Sequence, residues 1–317
     1  MPVKDRDVEA ATLESIVRAG AKEVPGAVAL LAPGRGEHLT YERLHHEVRL
    51  AADALAALGI RREDRVAVVL PNGPEMVVAF LAVSGVATCA PLNPAYRASE
   101  FAYYLDDLRA NAVLVLAGDP SPVREVARDR RIPVLEIVPS PGAPPGVFHL
   151  DGAAERAPAS RTPPCGDDIA LILHTSGTTA RPKIVPLLHR NLHASAGNVA
   201  AALGLSARDR CLNVMPLFHI HSLVAGVLAP LISGGSLVAT PGYVATEFFD
   251  WLAEFEPTWY TAVPTIHRSV LARSAEHPAA LARHCLRLIR SSSSPLSPDV
   301  MASLETTFGV PVIEAYG

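Results

Sequence analysis

The feature of this chain that most restricts its fold is an alternation of short, apolar, β-branched runs with longer helical patterns. Residues 65–71 (RVAVVLP) are predicted to form a buried strand that ends in a Pro-Asn-Gly turn, and residues 75–87 then continue as an apolar helix. Two more strands are predicted at 111–117 and 132–138, with a charged helical segment at 120–131 between them. Strand, helix and strand at this spacing indicate βαβ units and therefore a parallel sheet.

The same alternation begins again after two Pro- and Gly-rich stretches at 140–147 and 161–168. We therefore predict an α/β fold with two doubly wound α/β lobes, residues 1–163 and residues 164–317. The strands predicted in the second lobe are 169–174, 211–215, 236–240, 259–263, 286–290 and 311–315. The helices predicted there are 191–202, 223–232, 246–255, 265–275 and 298–308.

Composition and charge exclude several classes of protein. Apolar residues make up 49% of the chain and charged residues 19%, which is enough apolar material for a core. Lys and Arg total 28 against 32 Asp and Glu, so there is no electrostatic footprint for nucleic acid. No apolar run reaches the roughly 18 residues that span a bilayer, and the N-terminus lacks a signal-peptide pattern. The 4 cysteines are too far apart for a zinc module. We expect a cytoplasmic protein without a membrane span.

The most informative segment is 171–186, LILHTSGTTARPKIVP, in which an apolar strand runs into small hydroxyl residues around one glycine. Short hydroxyls can donate to phosphate oxygens, the glycine allows close backbone approach, and a lysine supplies a point charge. A Walker A loop would need a glycine directly before the lysine and Ser or Thr after it, and neither is present. A polar surface turn is the alternative. The residues that we assign to phosphate binding are Thr175, Ser176, Gly177, Thr178, Thr179 and Lys183.

Two other classes of α/β protein lack their signatures in this chain. No GxGxxG turn follows the first predicted strand, and the PNGP at 71–74 is no substitute for one. No GxSxG nucleophile elbow is present either. The sequence therefore favours neither an NAD-binding fold nor an α/β hydrolase.

Several ordered segments around the phosphate loop resemble the motifs of the adenylate-forming superfamily: acyl-CoA synthetases, luciferases and the adenylation domains of peptide synthetases. The resemblance covers nearly the whole chain and implies the fold of the large N-terminal domain of those enzymes. The segments are LTYERL (39–44), GVATCAPLNPAYRASE (85–100), TSGTTARPK (175–183), PLFHIHS (216–222), RSSSSPL (290–296) and EAYG (314–317).

The resemblance implies a two-step ligase reaction with ATP, Mg²⁺ and coenzyme A. A carboxylate attacks the α-phosphorus of ATP to give an acyl-adenylate and Mg-pyrophosphate, and the thiol of coenzyme A then displaces AMP. The first step needs positioning and charge stabilisation, which a hydroxyl-rich loop with a lysine can supply. Further nucleotide contacts are implied for Ser292, Ser293, Ser294, Glu314, Ala315, Tyr316 and Gly317.

Three departures from the family pattern limit these expectations. The sequence stops where the pattern continues with a magnesium-binding Glu, a ribose-binding Asp and a small C-terminal domain with a catalytic lysine. We therefore expect an N-terminal fragment that turns over negligibly alone, in which Mg²⁺ and coenzyme A need absent residues; a non-catalytic nucleotide-binding protein is an alternative. Ala180 and Ile184 also replace glycines, and a β-branched Ile184 is expected to stiffen the loop.

Two histidines in PLFHIHS are candidates for the acid site. The resemblance places His219 at the mouth of the acyl pocket, close to the reacting carboxylate, which makes it our candidate catalytic residue. One alternative is that each histidine is a hydrogen-bonded polar residue at a strand end. A metal pair with His221 is another, because alternate residues on an extended chain face the same way. No third ligand lies nearby in the sequence, and we assign no metal site.

The serine run of RSSSSPL suggests a polar acid, because a buried hydroxyl without a partner costs roughly 1–3 kcal/mol. The alternative is that these serines bond to local backbone. Together with PLFHIHS and the TWYTAVPTIH at 258–267, this run looks most like the oxalate–CoA ligase branch of the superfamily. We expect a small dicarboxylate such as oxalate, with a medium-chain or aryl acid as the alternative. The predicted substrate pocket is His219, His221, Val263, Pro264 and Ser292.

Overall fold

A computed structural model describes residues 11–153, 161–175 and 182–315 of the chain. Within these ranges the chain forms two seven-stranded sheets with helices packed around them. The strands are β1 (Val28–Leu31), β2 (Leu39–Thr40), β3 (Arg65–Val69), β4 (Thr88–Pro91), β5 (Ala112–Leu116), β6 (Val134–Pro139), β7 (Phe148–Leu150), β8 (Ile169–Thr175), β9 (Lys183–Leu188), β10 (Arg210–Asn213), β11 (Ser236–Ala239), β12 (Trp259–Ala262), β13 (Leu288–Ser292) and β14 (Val312–Ala315).

The helices lie between these strands, as the predicted βαβ alternation requires. One of them, His221–Leu228, is a π-helix. The α-helices are α1 (Leu13–Glu23), α2 (Tyr41–Ala57), α3 (Pro74–Ser84), α4 (Ala98–Leu108), α5 (Val123–Asp129), α6 (His189–Ala202), α7 (Ala229–Ile232), α8 (Phe248–Phe255), α9 (Pro264–Ser274), α10 (Pro278–Arg283) and α11 (Pro298–Phe308).

The strand order of each sheet places a topological switch point at its centre. The first sheet runs β7-β6-β5-β3-β4-β8-β9 and the second runs β14-β13-β12-β10-β11-β1-β2. All neighbours are parallel except the edge pairs β6·β7, β8·β9 and β1·β2. The chain therefore winds in opposite directions from β3 and from β10, which confirms the α/β fold predicted from the sequence. Ligands of open α/β sheets bind outside the carboxyl ends of strands at such points.

The two sheets exchange strands across the predicted lobe boundary. β1 and β2 precede the first sheet in sequence but belong to the second, where β1 lies parallel to β11. β8 and β9 follow residue 163 but belong to the first sheet, where Cys89 of β4 pairs with Leu171 of β8. The lobes 1–163 and 164–317 stay a prediction, and the division between the sheets does not fall at that point. A local pattern specifies a strand, whereas its partner in the sheet depends on contacts between distant segments.

The shared core lies against both sheets. α3 is buried nearly all round, as expected of a helix with no polar face. β3 is likewise a continuous apolar run whose residues Val66–Val69 are all fully buried, which is typical of a parallel strand covered on both faces. One cluster joins residues of both sheets, including Val68 of β3 and Trp259 of β12. Val68 of β3 and Cys211 of β10 belong to this same cluster, so the central strands of both sheets pack into one core. Among the described residues, no helix is long and apolar enough to cross a membrane.

Candidate active site

The two switch points contact each other directly through one side chain. Asn72 follows β3 in the Pro-Asn-Gly turn, and its amide nitrogen donates to the carbonyl of Met215 at 3.0 Å. Its amide oxygen accepts from the backbone N–H of Leu217 at 2.8 Å. Met215 and Leu217 belong to the segment after β10 that leads into PLFHIHS. The carboxyl ends of the two central strands therefore face one another, where the topology predicts a ligand site.

The histidine motif leads into a π-helix rather than the α-helix expected over 223–232. π-helical turns are rare and occur frequently at functional sites. The Ser222 hydroxyl donates to the side-chain oxygen of Asn213 at 3.0 Å, which holds this helix against the end of β10. A Cβ at Gly226 would lie 2.4 Å from the Asn213 amide nitrogen, so only glycine allows so close an approach. The start of the helix, at His221, is fixed by these contacts.

His221 lies buried at the centre of a polar cluster. Its Nδ1 is 3.0 Å from the hydroxyl of Ser293, and its Nε2 is 2.5 Å from the hydroxyl of Thr261. Burial, together with the nearby charge of Arg290, lowers the pKa of His221 to about 3, so the ring is neutral at physiological pH. Because both ring nitrogens already have hydroxyl partners, the metal-pair alternative is not supported here.

A buried arginine, Arg290, is linked to His221 through the hydroxyl of Thr261. The Nη1 of Arg290 donates to the Thr261 hydroxyl at 3.2 Å, across neighbouring strands in which Thr261 and Arg290 are register partners. The side chain is only 9% exposed, and none of the ion pairs in the described part of the chain includes it. Burial accordingly lowers the pKa of Arg290 from its usual range. A cation whose acceptor is a neutral hydroxyl is a costly feature of a core.

The serine run begins inside β13 and continues beyond it. Ser292 is buried opposite Ala315 of β14, whereas Ser293 and Ser294 are exposed. Ser293 has a φ of 74°, a left-handed conformation that costs a serine of order 1–3 kcal/mol and is concentrated at functional sites. The exposed carboxylate of Glu314 accepts from the backbone N–H of Leu296 at 2.7 Å, which anchors the far end of the run.

The other predicted pocket residues lie at the ends of neighbouring elements. His219 is exposed and lies against Phe218 with ring centroids 4.4 Å apart, and partial burial of its ring lowers its pKa. Val263 is the N-cap of α9, directly after β12, and Pro264 is buried at the first position of that helix. Val263 also packs against the second core cluster. These positions are compatible with a pocket wall beside His221, and their roles stay predictions.

The predicted phosphate loop is the connection of the β8–β9 hairpin, and its tip, 176–181, lies outside the described residues. That gap includes Ser176, Gly177, Thr178 and Thr179, and the end of the chain at Tyr316 and Gly317 also lies outside. The structure describes two of the residues assigned to phosphate binding in this hairpin, Thr175 and Lys183. They face one another as register partners. Both are exposed at the mouth of the hairpin. An exposed hydroxyl and an exposed ammonium at the carboxyl end of β8 fit a polyphosphate.

The structure corrects the expectation for Ile184. This residue lies in β9, opposite His174 of β8, and packs against the third core cluster. A β-branched side chain is favoured in a strand, so Ile184 belongs to the hairpin rather than to the loop that it was expected to stiffen. No strand is predicted over the residues of β9 from the sequence alone.

Three residues that build this site were not predicted from the sequence: Asn72, Thr261 and Arg290. Thr261 and Arg290 lie inside two of the quoted stretches, TWYTAVPTIH and RSSSSPL. The sequence feature that could have identified Arg290 is its place at the end of the apolar strand LRLIR. Burying a charge there is costly and therefore indicates a specific role. No group of three or more His, Cys, Asp or Glu side chains that could hold a metal ion occurs among the residues that the structure describes.

Comparison with known proteins agrees with this architecture. The chain is 40% identical over 310 residues to an oxalate–CoA ligase of Arabidopsis thaliana, covering 96% of this chain and 60% of that protein. It is 32% identical over 312 residues to a sulfoacetate–CoA ligase of Cupriavidus necator, covering 96% and 59%. The crystal structure of ATP-bound MatB from Rhodopseudomonas palustris superposes with a TM-score of 0.82 at 25% identity, covering 97% and 60%.

The chain thus spans about 60% of the length of these curated relatives. The sequence profile of the AMP-binding enzymes matches residues 17–317, which is nearly all of it. The chain therefore belongs to the AMP-binding enzyme family.

Proposed function

We propose that this chain forms the acid- and nucleotide-binding part of an acid–thiol ligase. The reaction joins a carboxylate to AMP with release of pyrophosphate and then transfers the acyl group to the thiol of coenzyme A. Family membership and the ATP-bound structural relative support the nucleotide part of the proposal. The observation that carries it is the polar cluster of His221, Thr261 and Ser293 at the carboxyl edge of the second sheet, beside its switch point.

The phosphate chain of ATP is proposed to lie at the mouth of the β8–β9 hairpin. The Lys183 ammonium is a mobile point charge there, and the Thr175 hydroxyl adds a short donor. Both would stabilise the negative charge that develops on the phosphate oxygens during transfer. When bound, Mg²⁺ would neutralise part of that charge. We assign no described residue to hold Mg²⁺ or coenzyme A.

The acid is proposed to be small and to carry a second acidic group, as oxalate does. The His221–Ser293 pair presents polar atoms, and hydrogen bonds to a carboxylate are roughly twice as strong as those between neutral groups. An alkyl or aryl acid would cover the Ser293 hydroxyl and offer it no acceptor, at a cost of roughly 1–3 kcal/mol. Two relatives are named for oxalate and for sulfoacetate, acids that each carry a second anionic group.

The test has a binding arm and a turnover arm. Calorimetry on this chain measures ATP affinity, and then oxalate, malonate, hexanoate and benzoate are titrated in the presence of ATP. ATP–pyrophosphate exchange with the same acids is measured on the complete product of the reading frame that encodes the chain. Ser293→Ala should weaken oxalate binding about tenfold, by the loss of one charge-assisted hydrogen bond. Ser303→Ala, on the exposed face of α11, is the matched control.

Each outcome discriminates between the candidates. Acid-dependent exchange with oxalate or malonate above both monocarboxylates supports the proposal. Preference for hexanoate or benzoate would replace the dicarboxylate with a medium-chain or aryl acid. ATP binding without exchange on any acid would leave a nucleotide-binding protein and overturn the ligase proposal.

A further inference from the structure

We propose that Arg290 acts through Thr261 as a positioning residue, which fixes the tautomer of His221 and thereby turns the Ser293 hydroxyl proton out of the cluster. The inference rests on the proposed function only for the acidic substrate group that this proton would meet. The hydrogen-bond order itself follows from the described side chains.

The first step is set by the arginine. A guanidinium can donate hydrogen bonds but cannot accept one, so the Thr261 hydroxyl oxygen accepts from Nη1 of Arg290. Thr261 is fully buried, and its other partner among the described residues is Nε2 of His221 at 2.5 Å. A buried hydroxyl proton without an acceptor is destabilising, because the group has lost its hydrogen bond to water. The Thr261 hydroxyl therefore donates to Nε2 of His221.

The second step follows from the chemistry of a neutral imidazole. When one ring nitrogen accepts, the other carries the proton. Nδ1 of His221 then donates to the hydroxyl oxygen of Ser293, 3.0 Å away. A second proton on the ring is opposed by burial and by the neighbouring cationic or titratable groups, which are Arg290 on β13, His267 on α9 and His219 before the π-helix.

The third step concerns the direction of the Ser293 hydroxyl, the exposed end of this series of hydrogen bonds. Because the Ser293 oxygen accepts from His221, its own proton must point elsewhere, and its side chain is exposed at the end of β13. The left-handed backbone of Ser293 holds this hydroxyl within reach of His221. A carboxylate has only acceptor atoms, so the outward proton suits it. With the opposite tautomer, Ser293 would donate to Nδ1 and show only lone pairs to an acid.

The direction of the hydrogen bonds from Arg290 to Ser293 explains why an arginine is buried at this position. A methionine in the same place would avoid the cost of desolvating a cation without a carboxylate partner. Arg290 fills one lone pair of the Thr261 oxygen, and its charge opposes a proton on the Nε2 that faces Thr261. Without Arg290 that bias would be lost, the two tautomers would come closer in free energy, and Ser293 would lose its fixed direction.

Nitrogen-15 NMR of the histidine-labelled chain tests this order without any substrate. The wild-type spectrum should show His221 protonated at Nδ1 and unprotonated at Nε2. Arg290→Met should convert this single tautomer into a mixture, while Arg290→Lys, which keeps a donor, should restore part of it. Arg268→Met, an exposed cation on α9, is the matched control. A wild-type Nε2–H tautomer, or an unchanged spectrum in Arg290→Met, would overturn the proposal.

Two further readouts separate this role from a purely structural one. Thr261→Val should lower the urea midpoint of unfolding, because it leaves Arg290 buried without its acceptor. The Arg290→Met, Thr261→Val double variant should recover part of that loss, and exposed Thr265→Val should show none. In the complete enzyme, Arg290→Met should raise KM for the dicarboxylate about tenfold with a smaller change in kcat. A correct tautomer in an enzyme that activates no acid would refute the proposed function alone.

Discussion

The mouth of the β8–β9 hairpin and the carboxyl end of β12 and β13 are built in opposite ways. At the hairpin, Thr175 and Lys183 are exposed and face solvent. At the end of β12 and β13, His221 and Thr261 are buried, and both ring nitrogens of His221 and the hydroxyl of Thr261 have hydrogen-bond partners. The hairpin carries charge on an adaptable side chain, whereas the buried cluster carries neutral donors in fixed directions.

The difference matches what each kind of ligand requires. A phosphate chain is bound through its charge, which a long flexible lysine can follow as the ligand moves. Selection between small acids depends on single hydrogen bonds, and these discriminate only when the donor is held in place and dry. Holding these hydrogen bonds in place requires two destabilising features, the buried cation Arg290 and the left-handed backbone of Ser293.

Acid should have the largest effect, through three buried histidines: His221 and His267 beside the ends of β12 and β13, and His189 at the start of α6. Burial lowers the pKa of His189 and of His267 to about 4, and burial together with Arg290 lowers that of His221 to about 3. The unfolded chain binds these protons near pH 6.5 and the native chain does not, so stability rises with pH between about 4 and 6.5 and is lost as pH falls. The three sites together should cost on the order of 5 kcal/mol between pH 7 and pH 5.

Urea unfolding at pH 7, 6 and 5 measures this loss. His189→Asn should reduce the pH dependence by about one proton, because its side-chain oxygen can still accept from the Leu13 N–H that His189 Nδ1 now binds at 3.2 Å. A free energy of unfolding that is flat between pH 7 and pH 5 would show that the buried histidines are protonated in the native state.

The exposed region should show its effect in binding and not in stability. Lys183→Met should weaken ATP binding about tenfold, because hydrogen bonds to charged groups contribute roughly 1.5–3 kcal/mol, while the unfolding midpoint stays unchanged. Calorimetry with ATP measures the first and urea unfolding the second. Lys22→Met, on the exposed side of α1, should change neither. An ATP affinity within twofold of wild type would remove Lys183 from the phosphate site.

The contact that links the two switch points should give the smallest effect. Asn72→Ala removes both hydrogen bonds to the segment after β10 and should lower the free energy of unfolding by about 1 kcal/mol. Asn198→Ala, on the exposed face of α6, should be neutral or slightly stabilising because alanine favours helices. Equal stabilities of the two variants would show that solvent replaces the Asn72 contacts at no cost.

Local patterns were enough to predict most of the second sheet. The strands predicted at 236–240, 259–263 and 311–315 correspond to β11, β12 and β14, because β-branched runs between turn residues are favoured in strands. β9 was not predicted, since its residues KIVPLL follow directly from a polar loop and contain a proline. At an antiparallel edge a proline is tolerated, and only pairing with β8 makes the segment a strand.

The sequence by itself determined the α/β class, the order of the motifs and the chemical character of the candidate site, because side-chain periodicity and residue type are local properties. The exchange of β1, β2, β8 and β9 between the sheets was decided by the tertiary structure. So was the meeting of Arg290, Thr261, His221 and Ser293, which come from three separate segments. A hydrogen-bond order exists only once its members are in contact, and strand register alone brought Thr261 beside Arg290.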